Sequence, residues 1–168
     1  MVIFCGCLSL YFLYAPHSPT TESGIDEFIA AFEAGTLDKS RWTHAAHILT
    51  GACYVHSFGE AAAIARMRER VSAFNLSVGG QNTPTSGYHE TITIFWIKLI
   101  ASTLATALCA PRLASETWVG PPTRSTFAHD CVRNFAENRT IYADFYDFDL
   151  VASTEARRIW IAPNLRPL

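Results

Sequence analysis

Two short runs hold polar side chains whose types and spacing suit a reactive centre: His44 with His47, and His89 with Glu90. Residues three apart on a helix are neighbours, with Cβ atoms about 5–6 Å apart. The imidazoles of His44 and His47 can therefore converge on one cation. If the helix opening at His89 faces that pair, three imidazoles and a carboxylate meet. Three protein ligands plus an open position is the plan of a catalytic zinc site, and a His and carboxylate set also suits iron. Adjacent helical residues diverge by about 100°. His89 is thus expected as the third ligand beside His44 and His47, with Glu90 as general base or as partner to a ligand. Without metal, the same groups suit proton transfer, because an imidazole beside a carboxylate titrates near neutrality.

Other residues could complete the centre. Tyr88 and Tyr54 could each supply a hydroxyl, Tyr88 in catalysis with His89 and Glu90, and Tyr54 toward substrate. Asn82 could hold a polar group of the substrate. Trp96, seven residues past His89 and on the same face, could floor the pocket. Each has a purely structural alternative. The tyrosines read equally as core aromatics with one satisfied hydroxyl, Asn82 as a turn former, Trp96 as core, and the histidine pair as caps or core. Trp42 reads as a staple on the start of the helix that carries His44. His56 lies about 180° from His47 on an ideal helix and is set aside. His17 falls in a linker, His129 and Asp130 read as an exposed pair, and Cys53 has no local support as a nucleophile.

The elements that must position these groups follow from periodicity. Ile92 to Ala110 is apolar all round, which marks a buried central helix over about 88–110, capped by Ser86. Lys98 and several threonines argue against a membrane span. A first helix starts near Asp26 and ends at Gly35. A second, capped by Ser40 or Thr43, carries His44 and His47 and stops at Gly59. A third, from Glu60 to Phe74, has Ile64, Met67, Val71 and Phe74 on one stripe. A fifth runs from Arg124 to Arg139, and Ser153 caps a short last one. Two long loops, 75–87 and 111–123, interrupt the pattern. Ile141 to Val151, aromatic and acidic, is either a lid or a packed irregular segment. The expected fold is all-α: a single-domain bundle of about five helices around the central one.

Composition bounds the function classes. The 168 residues suit one domain, 49% of them are apolar, and the net charge is -2. With a pI near 6.3, nothing favours nucleic acid as a partner. Arg66, Arg68 and Arg70 alternate with acidic neighbours and read as a solvated face. Five cysteines, without a C-x-x-C, point to a reducing compartment and a cytoplasmic protein. Cys109 and Cys131 read as small hydrophobes. The hydrophobic run from Val2 to Tyr14 is too short for a span and lacks the basic start of a secretory signal. Residues 1–20 are read as an extension and linker, and 21–168 as the helical domain.

The run Trp42-Thr43-His44-Ala45-Ala46-His47, with Asn82-Thr83-Pro84-Thr85-Ser86-Gly87-Tyr88-His89-Glu90-Thr91-Ile92-Thr93, resembles a pattern in uncharacterised small proteins of bacteria and fungi. The stretch Glu155-Ala156-Arg157-Arg158 and the ending Pro163-Asn164-Leu165-Arg166-Pro167-Leu168 are similar too. The resemblance implies a unit from about Ile25 to the C-terminus and no particular activity. Three functions then compete. The first is a small enzyme holding a divalent zinc or iron through His44, His47 and His89 and acting on a small organic molecule by hydrolytic, lyase-type or oxidative chemistry. The second is a metal-free isomerase, cyclase or dehydratase using His89 and Glu90. The third is a non-catalytic binder of a small ligand. No membrane partner is expected, and a homodimer is compatible with each.

Overall fold

A computed structural model describes residues 18–109 and 120–168. The expectations for the N-terminal hydrophobic run, with Cys5, Cys7 and His17, and for most of the loop 111–123 lie outside the described residues.

The described chain is helical. Helix α1 spans Glu22–Glu33, α2 His44–Ser77, α3 Glu90–Cys109, α4 Arg124–Phe135 and α5 Thr154–Arg158, with single 3-10 turns at Lys39–Arg41 and Ile141–Asp144. The threonines and serines that precede the helices act as caps, accepting backbone N–H groups that the first turn leaves free. Thr21 accepts from Gly24, Thr43 from Ala46, Thr123 from Thr126 and Ser153 from Ala156. Helix α1 thus starts four residues ahead of Asp26, because Thr21 is a competent cap.

Helix α2 is divided by Gly59, whose φ of 78° and ψ of 170° are non-helical. Only glycine occupies that region without strain. The break separates the expected second and third helices. The first half buries Ile48, Leu49, Ala52, Cys53 and Val55, and the second buries Ala63, Met67, Val71 and Phe74. Helix α2 packs against α3 and α4, and α5 packs against α3. Phe32 stacks on Trp42 at 4.0 Å between ring centroids, and Phe74 closes on both rings at 5.4 Å. This cluster joins α1, the start of α2 and the end of α2.

The expectation of a buried central helix holds for half its length. Helix α3 is in the core from Glu90 through Ile100, and from Ala105 to Cys109 every residue is exposed. It is the one helix among the described residues long and apolar enough to cross a membrane. Cys131 is buried as expected, whereas Cys109 is exposed. Helix α4 ends at Phe135, four residues before Arg139. The aromatic segment after it is packed rather than free, with Phe145, Tyr146 and Leu150 buried.

Loop 78–89 is fixed by asparagines and glycines. The Asn82 amide oxygen accepts from Asn75 Nδ2 at 2.9 Å and from the Tyr88 N–H at 3.0 Å, while its Nδ2 donates to the Ser72 carbonyl. Gly87 has φ of 76° and sits so close that an added Cβ would meet the Gln81 carbonyl oxygen at 2.3 Å. Around Gly59 the same test finds open space. Gly59→Ala is therefore expected to lower stability by about 1–3 kcal/mol from backbone strain alone. Gly87→Ala should cost more than Gly59→Ala, because strain and collision add. Chemical denaturation of both variants checks this; equal losses would mean that the loop yields.

Candidate functional site

The start of α3 is polar and buried, and its three polar residues each face a different segment. His89 is 7% exposed, Glu90 8% and Thr91 0%. His89 caps the helix in place of Ser86: its Nδ1 accepts from the Ile92 N–H at 3.3 Å. Its Nε2 donates to the Leu150 carbonyl at 3.0 Å. Both ring nitrogens are thus engaged, and the ring is the neutral Nε2–H tautomer. Burial drives its pKa below the ordinary histidine value, against the pull of the Leu150 carbonyl. Thr91 donates to the Ile159 carbonyl at 2.6 Å and accepts from the Ile161 N–H at 3.0 Å.

Glu90 faces the second half of α2. Both its carboxylate oxygens accept from Arg68 Nε at 3.1 Å, and one also accepts the Tyr88 hydroxyl at 2.7 Å. Burial would raise its pKa, but Arg68 and Tyr88 outweigh that and hold it below the usual range. A carboxylate so paired stays ionised and hydrogen-bonded. The Tyr88 hydroxyl is pushed upward by burial and by Glu90. It is a donor to Glu90, not a reactive phenolate. Arg68, read from sequence as part of a solvated face, is the partner that this buried acid requires.

A cavity of about 370 Å³ lies beside these residues, lined by His44, His47, Met67, Val71, Gly87, Tyr88, His89, Ile92, Thr93, Trp96, Ile97 and Arg139. The three expected imidazoles and Trp96 therefore share one space. No acidic residue lines it, and Arg139 is its sole charged group. His44 differs from His89. Its Nε2 is fully buried and has no hydrogen-bond partner, and the Phe135 carbonyl engages its ring. A proton on the other nitrogen, on the side of the Phe135 carbonyl, would leave Nε2 with a free lone pair. Trp96 meets the ring edge-on at 4.8 Å. Burial first, then the positive charge of Arg139, lower the pKa of His44. His47 lies against Trp42 at 4.2 Å. Burial, with His44 nearby, lowers its pKa to about 3. The residue as a whole is half-buried, and the burial of its ring favours the neutral form.

Two expected substrate contacts lie elsewhere. The Tyr54 hydroxyl donates to Glu33 at 2.6 Å, under the Arg66 guanidinium, and Tyr54 does not line the cavity. Asn82 lines a larger, more open cleft of about 570 Å³ with Ser72, Thr83, Pro84, Thr154, Glu155, Arg157 and Arg158. Tyr88 borders both spaces. The smaller cavity is the one bordered by the three imidazoles. His56 and His129 each reach a distant backbone carbonyl, of Pro122 at 3.0 Å and of Pro19 at 3.1 Å. His129 is thus a tie between segments rather than an exposed residue. Cys53 is buried and its thiol is pushed up to about 12, the opposite of an activated nucleophile. Among the described residues no group of three His, Cys, Asp or Glu is placed to hold a metal ion. Sequence reasoning missed Arg139, Met67, Val71 and Thr93; Met67 and Val71 appeared there as core stripe, and nothing local marks Arg139.

No family model, curated protein or solved structure matches the chain.

The capping role of His89 is testable. His89→Ala removes the cap and strands the Leu150 carbonyl, and should lower stability by about 2–4 kcal/mol. His89→Asn keeps a capping acceptor and should cost roughly half as much; denaturation of the pair reads the difference. The neutral imidazoles also set a pH dependence. His44, His47 and His89 all take up protons less readily folded than unfolded, where the value is near 6.5. Above pH 6.5 they are neutral in both states and contribute nothing. As pH falls below 6.5, the unfolded chain gains these protons before the folded one does, so stability drops, and for His47 the loss continues down to about 3. Glu22, lowered from 4.5 to about 2, adds its loss only below pH 4.5. His47→Phe should flatten the fall between pH 6.5 and 4.5 by up to about 1.4 kcal/mol per pH unit. An unchanged slope would mean that His47 is charged in the folded protein.

Proposed function

We propose that the protein is a metal-free acid–base enzyme, of the isomerase, cyclase or dehydratase kind, acting on a small organic molecule held in the His44 cavity. The observation that carries this reading is the unpartnered, buried Nε2 of His44. An unsatisfied buried acceptor costs about 1–3 kcal/mol, and a ligand donor that reached it, by displacing the side chains that close over it, would remove that cost. A neutral imidazole with a bare lone pair is a general base, and the Phe135 carbonyl near the His44 ring favours a proton on it. Trp96, Ile92, Met67 and Val71 supply apolar walls for the body of the molecule. The proton-transfer role falls to His44, with His47 beside it, rather than to His89 and Glu90, whose polar atoms are spoken for.

The metal-dependent reading keeps one supporting feature: His44 and His47 line one cavity at helical spacing. Its third nitrogen, on His89, would have to leave Leu150 or Ile92 first. The donor set would be neutral, with the Arg139 cation beside it, which disfavours a divalent ion.

The test is exchange of carbon-bound hydrogen. Small carbon acids that shift the melting temperature are incubated with the protein in deuterated water and followed by NMR. The expected result is deuterium incorporation that survives chelator and falls at least about 100-fold in His44→Gln. Incorporation abolished by chelator and restored by zinc or iron would favour the metal reading. Compounds that bind at His44 and exchange no hydrogen would leave a binding protein in place of an enzyme.

A further inference from the structure

We infer that the molecule taken by the His44 cavity carries a carboxylate, which Arg139 holds while the apolar body lies on Trp96 and the far end lies against the His44 ring. This inference rests on the reading of that cavity as a small-molecule site, and it names the class of molecule. Three observations converge on it. Arg139 lines the cavity and makes no hydrogen bond or ion pair with any described residue. Most other arginines on the described surface are paired: Arg66 with Glu33, Arg68 with Glu90, Arg70 with Glu69, Arg124 with Glu22 and Asp26, Arg133 with Asp130 and Arg166 with Asp144. Arg139 is exposed, and its positive charge is felt at His44.

The second observation is the sign of the lining. Among twelve lining residues there is no Asp or Glu, and Glu90, next to lining residue His89, is turned away onto Arg68. The first turns of two long helices, α2 and α3, border the same space, and helix starts favour negative charge. The one formal charge on the lining disfavours a cation or metal ion and favours an anion.

The third observation separates a carboxylate from a phosphate. One guanidinium fork matches one carboxylate through two parallel hydrogen bonds. A phosphate dianion offers more acceptors and charge than this single cation satisfies. The remaining lining is dominated by Met67, Val71, Ile92, Trp96 and Ile97, which suit an apolar or aromatic body. The cavity of about 370 Å³ lies at the small end of ligand sites. The ligand is therefore a small monocarboxylic acid with an aryl or branched alkyl body, such as an arylacetate or arylpropionate.

The experiment titrates full-length protein with 3-phenylpropionate and, separately, with its neutral amide, following the Trp96 indole and His44 ring signals by NMR. The expected result is binding of the acid at least tenfold tighter than the amide. Arg139→Gln should erase that preference while leaving the melting temperature unchanged, since Arg139 holds no structural partner. Arg139→Lys, which keeps the charge and loses the fork, should recover part of it; phenyl phosphate should bind more weakly than the acid. Acid and amide binding equally at His44 and Trp96, with no effect of Arg139→Gln, would overturn the carboxylate inference and leave the cavity as a small-molecule site. Phenyl phosphate binding more tightly than the acid would overturn the carboxylate assignment as well. Neither compound shifting either signal in the wild-type protein, even at millimolar concentration, would overturn both.

Discussion

Three consecutive polar side chains, His89, Glu90 and Thr91, are buried where α3 begins, and the rest of the fold is arranged to satisfy them. Of the four buried polar or charged residues in the described chain, these are three. Consecutive helical residues point in different directions, so no single neighbour can serve all of them. The partners arrive from different quarters: Arg68 from the second half of α2, Leu150 from the segment after α4, and Ile159 with Ile161 from the end of the chain. A buried acid without its cation, or a buried imidazole without its carbonyl, would cost several kcal/mol. The closure of the C-terminal third over α3 is thus a polar requirement as much as an apolar one. Arg157 adds to it by donating to the Gly87 and Tyr88 carbonyls at 3.0 and 3.2 Å.

This arrangement explains how much of the molecule could be read from its residues. Helix type and order were legible, because the caps Thr43 and Ser153, the break at Gly59 and the stripe Met67, Val71 and Phe74 are local signals. The prominence of Gly87-Tyr88-His89-Glu90-Thr91 was legible too, as was the meeting of His44, His47 and His89 around one space. The roles were not. Glu90 finds Arg68 22 residues upstream and His89 finds Leu150 61 residues downstream. Local spacing cannot encode such partners, and in the one-dimensional pattern Arg68 is indistinguishable from its solvated neighbours Arg66 and Arg70. Helix α3 misled in a second way. Its apolar composition is uniform, but burial is not, so Ile100 is in the core and Leu108 is 58% exposed.

Two histidines of the same cavity show why residue type alone underdetermines chemistry. His89 has both nitrogens committed, one to the helix it caps and one to Leu150, and any reaction it joined would have to break a structural bond first. His44 keeps its Nε2 buried and without a partner. Two neighbouring aromatic residues are fixed. Tyr88 is held at its N–H by Asn82 and at its hydroxyl by Glu90, and Trp42 is clamped between Phe32 and His47. A saturated polar centre thus supports an unsaturated one. Rigid neighbours of this kind let a free lone pair keep its direction rather than turn to find a partner.

The charge of Arg139 gives the cavity a further property. Empty, the cavity makes His44 a weak base: burial and Arg139 both resist a proton on the ring. Arg139 is itself exposed, so solvent screens its share of that resistance. A carboxylate seated on Arg139 would cancel the repulsive part and add an attraction to the imidazolium that forms when the ring accepts a proton. The basicity of His44 would then rise only with an acid in place, so that binding and proton transfer become one linked event. A neutral molecule of the same shape would fill the walls and leave the base weak. Selection for acids would therefore operate on the reaction as well as on the affinity, through a single guanidinium.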